Sequence, residues 1–130
     1  MEINPSIFRA YDIRGAYPAE INEVVAYRVG RAYINYLRNN LMLTGHMRVV
    51  VMSDARVSSP ALKAELIKGM CDEDADLTVI DGGLSTTPMQ YFAINHADAD
   101  GGVMVTASHM GHPYNGFKLS RRGAVPIYQG

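Results

Sequence analysis

Two residues that can do chemistry, Ser108 and Lys118, lie on either side of a turn signal near the end of this chain. Ser108 follows a short apolar, β-branched run at 103–106, which favours a buried strand. Open α/β sheets place functional side chains just outside the carboxyl ends of their strands. Asn115-Gly116 favours a tight turn, and Lys118 follows it. A hydroxyl and an ammonium could therefore meet at one edge of a sheet.

A third candidate, Arg14, lies in the segment YDIRG at 11–15. Its guanidinium could bind phosphate oxygens in pairs, and it could equally form a structural contact with Asp12. The other two residues also have ordinary interpretations. An isolated serine after a strand is typical of a capping or loop residue, and Lys118 could be a solvent-facing lysine on an edge strand.

The first half of the chain predicts a helix, a strand and a second helix. Residues 22–41 predict a long helix, because apolar residues recur at helical spacing and Asn22 is a suitable N-cap. A β-branched run predicts a strand at 48–52. Ser59 as the cap, with Pro60 at the first helical position, then starts a helix that is expected to continue to about residue 70.

The second half continues the alternation of strands and helices. A strand is predicted at 77–80, closed by Asp-Gly-Gly at 81–83, and a helix at 87–96. Further strands are predicted at 103–106 and 116–120. Helices between strands favour right-handed crossovers. The predicted fold class is α/β, a three-layer α/β/α domain with a mainly parallel, mixed, four-stranded sheet.

Length and composition narrow the possible partners. The chain has 130 residues, which suits one domain with its own core, and a formal net charge of −1. Its charges are scattered, so neither a nucleic-acid face nor a polybasic membrane patch is expected. No apolar run approaches the ~20 residues of a membrane span, and a soluble, cytoplasmic protein is expected. Cys71, the only cysteine in the sequence, is predicted to be a buried or half-buried thiol.

Four segments together resemble the α-D-phosphohexomutases, the phosphoglucomutase/phosphomannomutase family. They occur in the family's order and are FRAYDIRG at 8–15, DARVSS at 54–59, DGGLSTTP at 81–88, and TASH at 106–109 followed by YNGFK at 114–118. Four collinear motifs are far more specific than any one of them. The resemblance implies that the chain is the first, phosphoserine domain of a four-domain enzyme, and the absence of a closing element after 123–130 agrees with an excerpt.

The resemblance also implies roles for individual residues. Ser108 would carry a phosphoryl group between the two positions of a phosphorylated hexose, and its phosphoserine oxygen would bind Mg²⁺ together with aspartates of a second domain. Lys118 would act as a general acid or base. Arg14 would bind phosphate, Tyr11 would form part of the wall of the substrate site, and His109 would orient the serine loop.

Asp54 and Arg56 would support that loop from beneath. The remaining domains of the same polypeptide would be the chain's partners.

Departures from the family pattern keep alternatives open. Met110 and Gly111 stand where asparagine and proline are commonest, and Ser53 stands where glycine is usual. The rival interpretation is a catalytically degenerate paralogue that serves as a binding or scaffold module. A serine hydrolase is disfavoured because no Gly-x-Ser-x-Gly elbow is present. A zinc site built from His109, His112, Asp98 and Asp100 fits no strong zinc spacing.

Overall fold

The computed structural model describes residues 13–84, 87–106, 114–122 and 125–126. Within these ranges three helices alternate with six strands. In chain order they are β1 (Ile13–Ala16), α1 (Glu23–Asn39), β2 (Met47–Ser53), α2 (Ser59–Glu73), β3 (Leu77–Leu84), α3 (Thr87–His96), β4 (Gly101–Val105), β5 (Tyr114–Arg121) and β6 (Val125–Pro126).

All six described strands join one mixed sheet in the order β1-β5-β4-β2-β3, with β6 paired to β5. The central strand β2 is parallel to β3 and to β4. By contrast, β5 is antiparallel to β4, β1 and β6. The α/β class and the mixed sheet are confirmed, while the predicted count of four strands is too low and three of the five described strand pairings are antiparallel rather than parallel. The two missed strands have four and two residues, too short for a clear alternating pattern in the sequence.

The helices cover both faces of the sheet and make three layers. The larger core cluster lies between α1, α2 and one face, and a smaller one lies between α3 and the other. Successive residues of β2 supply the two clusters in turn, because neighbouring side chains of a strand point to opposite faces. Val49 and Val51 enter the larger cluster, whereas Val50 and Met52 enter the smaller one.

The first helix begins as its sequence predicts. The Asn22 side chain accepts a hydrogen bond from the Val25 amide at 3.0 Å, which is the expected N-cap. Tyr33, on the buried face of α1, donates a hydrogen bond to the Ser120 carbonyl at 2.5 Å. Burial raises the pKa of this phenol, so it remains a neutral donor that ties α1 to β5. Among the described residues, no helix has the length and apolarity needed to cross a bilayer.

The second helix extends past its predicted end at residue 70 to Glu73. Its N-cap is Ser58 rather than the predicted Ser59, which is the first residue of the helix; Ser58 makes no side-chain cap hydrogen bond, and Pro60 occupies the first turn. The prediction of a buried or half-buried Cys71 is wrong, because this thiol is exposed. The core face of α2 includes Met70, and one further residue turns the next side chain by about 100° away from it.

A predicted strand end and a predicted turn both lie inside strands of the structure. The strand predicted to close at 81–83 continues to Leu84, after a register irregularity opposite Val51 and Met52. The turn predicted at Asn115-Gly116 is also wrong, because both residues are paired in β5. In addition, β5 lies between β1 and β4, so Lys118 is half-buried on an internal strand rather than solvent-facing on an edge.

The two helices on the larger core cluster approach each other through glycine. A Cβ atom added at Gly30 of α1 would lie 2.1 Å from the Leu66 carbonyl oxygen, and one added at Gly69 of α2 would lie 2.1 Å from the Tyr27 carbonyl oxygen. Both obstacles are backbone atoms, which cannot rotate away as a side chain can. Small residues at these positions are therefore a condition of the helix packing.

We expect Gly30→Ala to destabilise the chain, although alanine favours an isolated helix by about 1 kcal/mol over glycine. The enforced separation of α1 and α2 should cost about 1–3 kcal/mol or more, as overpacked cores do. Urea unfolding followed by circular dichroism measures the net effect. Lys68→Ala, on the exposed side of α2, is the control and should change stability by no more than about 0.5 kcal/mol. A Gly30→Ala chain as stable as the parent would contradict the packing argument.

Candidate functional site

Two of the predicted site residues lie on neighbouring strands of the sheet. Arg14 is in β1, where it pairs with Gly116, and Lys118 is in β5, where it pairs with Met104 of β4. Tyr11, Ser108 and His109 lie outside the described residues, and so do Met110 and Gly111. The structure therefore locates the two candidate cations and the two residues, 106 and 114, between which the serine segment runs.

Arg14 and Lys118 lie on the same face of the sheet. Ile13 and Phe117 are directly paired, and both enter the core cluster beneath α1 and α2. Because side chains alternate along a strand, the neighbours of this pair take the opposite face. Arg14 and Lys118 are thus diagonal neighbours across β1 and β5, a relation that places side chains about 7–8 Å apart. Such a pair can bind one dianionic group from two sides.

The close contact of β1 with β5 depends on Gly116. A Cβ atom at this position would lie 2.0 Å from the Ile13 carbonyl oxygen and 2.7 Å from the Arg14 Cα. Any larger residue would push β1, and Arg14 with it, away from β5. The glycine that the sequence offered as a turn residue is therefore needed for strand approach.

At the carboxyl edge of β2 and β4, the Asp54 carboxylate accepts hydrogen bonds from three residues. Its Oδ2 atom accepts from the Thr106 hydroxyl at 2.7 Å and from Arg56 Nε at 2.9 Å. Its Oδ1 atom accepts from the Ser59 hydroxyl at 2.9 Å and from the Arg56 amide at 3.2 Å. Asp54 is therefore a hub that joins the end of β4 to the start of α2.

A second set of hydrogen bonds fixes the start of β5. Arg56 Nη1 donates to the Tyr114 carbonyl at 3.1 Å. The buried Asn115 amide group donates to the hydroxyls of Ser58 and Ser59 at 2.7 and 3.1 Å. Sequence reasoning missed Thr106 and Asn115 as parts of this network. The available signal was a pair of small polar residues at strand ends that adjoin a candidate loop.

The hub carboxylate is held in its charged form. Burial raises the pKa of Asp54, but the hydrogen bonds donated by its neighbours outweigh burial and hold this pKa below the ordinary carboxyl value. The side chains of the Asp54–Arg56 ion pair are 23% and 17% exposed. The pair is therefore screened less than a fully exposed one.

Several acidic residues elsewhere in the described ranges form structural pairs. Asp98 and Asp100 both pair with Arg122, which assigns them a contact other than the considered zinc site; His109 and His112 lie outside the described residues. At the end of α2, the acidic run pairs with α1: Asp72 accepts from Tyr27, Glu73 pairs with Arg31, and Asp74 pairs with Arg38. Within the described part of the chain, no three His, Cys, Asp or Glu side chains are grouped so as to hold a metal ion.

The fold and this edge define an α/β/α domain whose candidate site lies at the carboxyl ends of its parallel strands. Comparison with known sequences identifies the family of this domain. Residues 5–129 match the family described as phosphoglucomutase/phosphomannomutase, alpha/beta/alpha domain I. The chain therefore belongs to the phosphoglucomutase/phosphomannomutase family, which confirms the resemblance seen in its motifs.

Individual relatives support the same assignment. The chain is 47% identical over 124 residues to a phosphomannomutase of Salmonella montevideo, a match that covers 95% of this chain and 25% of the relative. It is 46% identical to a phosphomannomutase of Klebsiella pneumoniae over 92% of this chain and 71% of that sequence. A crystal structure of a family protein from Burkholderia thailandensis superimposes with a TM-score of 0.83 at 38% identity, covering 98% of this chain and 28% of the other. The chain thus spans about a quarter of the length of several relatives that it matches.

The Asp54 hub should make stability depend on pH in the acid range. Its pKa is lower in the folded chain than in the unfolded chain, where it is about 3.9. The contribution of the carboxylate should therefore be complete above that value and fall as pH drops through the folded pKa. We expect Asp54→Asn to cost about 1–3 kcal/mol near pH 7, with the difference from the parent shrinking below about pH 4.

Urea unfolding of both chains between pH 7 and pH 3 measures this difference. Glu65→Gln, a carboxyl-to-amide change on α2 away from the hub, is the control and should not reproduce the trend. A cost of Asp54→Asn that is the same at pH 3 as at pH 7 would show that the charge of Asp54 does not stabilise the fold.

Proposed function

We propose that this chain is the phosphoserine domain of a phosphohexomutase that interconverts hexose 1-phosphate and hexose 6-phosphate through a bisphosphorylated sugar. The observation that carries the proposal is the placement of Arg14 and Lys118 on one sheet face, beside the strand that leads to Ser108. Membership of the phosphoglucomutase/phosphomannomutase family supports it. The match to phosphomannomutases favours a hexose phosphate as the substrate class.

In the proposed reaction, Ser108 is the phosphoryl carrier. A hydroxyl of the bound sugar phosphate attacks the phosphorus of phosphoserine, the bond between phosphorus and the serine oxygen breaks, and a new oxygen–phosphorus bond forms on the sugar. The sugar hydroxyl loses a proton, and the Ser108 oxygen gains one. The return step moves the other phosphoryl group of the bisphosphorylated sugar to Ser108. Such transfers need positioning and charge neutralisation more than a strong base.

The two described cations have complementary parts in this scheme. A phosphoserine carries about −1.5 to −2 charges near pH 7. The planar Arg14 guanidinium suits paired hydrogen bonds to phosphate oxygens. Lys118 is assigned the proton transfer to the departing oxygen, because a nearby phosphate favours the charged, proton-bearing ammonium. Among the described residues, no carboxylate forms an ion pair with Lys118.

Tyr11 and His109 complete the proposed site by resemblance. Tyr11 lies just before β1 in the chain, so it is suited to wall the substrate site. His109 follows Ser108 directly and is proposed to orient the serine segment rather than to activate the hydroxyl, since chain neighbours commonly point in different directions.

The proposal includes Mg²⁺ bound through the phosphoserine oxygen. The described residues do not form a metal site by themselves, and all the acidic ligands would come from further domains of a longer polypeptide. When bound, the ion would neutralise charge on the transferred phosphoryl group. The match to about a quarter of the Salmonella relative agrees with such additional domains. The same domains would supply the sugar-recognition surface that selects glucose or mannose.

The degenerate-paralogue alternative is not favoured. A binding module without catalysis has no evident need for a serine, an arginine and a lysine in the family's spacing, and the chain keeps all three. The departures at Ser53, Met110 and Gly111 leave these residue types unchanged.

In a longer protein that contains this chain, Ser108 should carry phosphate in a fraction of the purified molecules. The resting enzyme of the proposed mechanism stores the phosphoryl group between turnovers. Intact mass and fragment spectra would locate the modification, and Ser108→Ala should abolish both the modification and hexose phosphate turnover. Full turnover by Ser108→Ala, with no phosphate on the parent serine, would remove Ser108 from the mechanism.

Lys118→Met in the same protein should lower turnover about 10²- to 10⁴-fold, the scale of general acid–base catalysis. The substitution keeps an unbranched side chain only one heavy atom shorter and removes its charge, so the half-buried stem can still pack. Coupled assays give the rate, and thermal unfolding gives the stability. Lys68→Met, the same change on the exposed side of α2, should leave both near the parent values. Near-normal turnover of Lys118→Met would exclude a role in proton transfer.

A further inference from the structure

We propose that Asp54 and Arg56 form a clamp that fixes the two ends of segment 107–113 relative to each other. In this arrangement Asp54 and Arg56 are positioning residues for Ser108. The inference rests on the proposed function for its catalytic consequence, while the clamp itself rests on described contacts. Segment 107–113 joins Thr106, which follows β4 in the chain, to Tyr114, the first residue of β5.

One unbroken series of hydrogen bonds connects these ends. The Thr106 hydroxyl donates to Asp54 Oδ2 at 2.7 Å, the same oxygen accepts from Arg56 Nε at 2.9 Å, and Arg56 Nη1 donates to the Tyr114 carbonyl at 3.1 Å. The Thr106 amide also donates directly to the Gly116 carbonyl at 2.8 Å. The ends of the segment are therefore tied both by the strand ladder and by an ion pair.

The clamp is anchored independently of the segment that it holds. The Asp54 amide donates to the Val105 carbonyl at 3.1 Å, and the Ser59 hydroxyl at the start of α2 donates to Asp54 Oδ1. Asp54 and Arg56 are also joined through the Arg56 amide. This local turn holds the carboxylate and the guanidinium in one orientation against both β4 and α2.

Arginine is required at the centre of the clamp by geometry rather than by charge alone. Its planar guanidinium directs Nε to the carboxylate and Nη1 to a carbonyl at the same time. A lysine has the same charge but a single ammonium on a flexible stem, so it cannot hold both partners in fixed directions. Arg56→Lys therefore separates the positioning role from the charge.

The positioning matters because phosphoryl transfer is sensitive to small displacements. Ser108 lies two residues beyond Thr106 in the chain. A displacement of 1 Å at reacting atoms can cost about 100-fold in rate. A loosened clamp should therefore lower kcat more than it changes KM or the stability of the fold.

The chain offers a closely matched control in the Arg38–Asp74 pair. Arg38 and Asp74 have exposed side-chain fractions of 18% and 23%, against 17% and 23% for Arg56 and Asp54. Arg38 also bridges to a carbonyl, that of Leu43, at 3.2 Å. Arg38→Lys thus removes a similar arrangement that does not touch either end of segment 107–113.

Amide hydrogen exchange on this chain tests the clamp directly. In Arg56→Lys the Thr106 amide should exchange about tenfold faster than in the parent, whereas Arg38→Lys should leave it unchanged. Thr106→Val removes only the hydroxyl and keeps the shape of the side chain, so it should also speed amide exchange at position 106. This variant replaces Arg56→Lys in the test if Arg56→Lys does not fold. Equal exchange at Thr106 in the parent, Arg56→Lys and Thr106→Val would overturn the clamp.

Kinetics in a longer protein that contains this chain test its catalytic consequence. Arg56→Lys should lower kcat about 10- to 100-fold with little change in KM, and Arg38→Lys should leave both unchanged. An unchanged kcat beside faster Thr106 exchange would overturn the positioning role. A failure of the proposed function can be told apart from a failure of the clamp. It would appear as full turnover by Ser108→Ala, and this result does not depend on the exchange rate of the Thr106 amide.

Discussion

The insertion of β5 between β4 and β1 is the constraint on which the candidate site depends. Because β5 runs antiparallel to both neighbours, its first residues lie beside the carboxyl end of β4 and beside Arg14 of β1. That geometry places the two candidate cations on one face and returns the chain next to the residue that precedes the serine segment. Two features hold β5 there: the absence of a side chain at Gly116, and the bond from the buried Tyr33 hydroxyl to Ser120.

Much of this architecture follows from local sequence patterns. The start of α1 is set by the Asn22 side chain, and the alternation of β-branched runs with helical periods indicates the α/β class. Short-range signals fail where a long-range contact determines the structure. Asn115-Gly116 has the sequence of a tight turn, yet the approach of β1 and the hydroxyls of Ser58 and Ser59 place it in a strand. A local sequence pattern contains no information about a partner that is nearly sixty residues away, as Ser58 is from Asn115.

In the candidate site, too, the residue types follow from the sequence, whereas their arrangement depends on long-range contacts. The residue types of Arg14 and Lys118 could be selected from the sequence, because guanidinium and ammonium groups suit phosphate chemistry. Their shared face could not be derived, since β1 has only four residues and its pairing with β5 is non-local. Asp54 and Arg56 were predicted to support the serine segment. Their joint connection to Thr106 and Tyr114 became visible only from the atomic distances.

The hydrogen bonds accepted by Asp54 suit this carboxylate to a structural role. A carboxylate has about four lone-pair positions on its two oxygens, and each Asp54 oxygen accepts two hydrogen bonds. Coordination of a metal ion, or protonation as a general base, would require one of these bonds to break. Loss of the Ser59 bond would release the start of α2, and loss of the Thr106 bond would release the end of β4. Asp54 is therefore poorly suited to bind the proposed Mg²⁺, which agrees with our proposal that the carboxylate ligands of this ion come from outside the described residues.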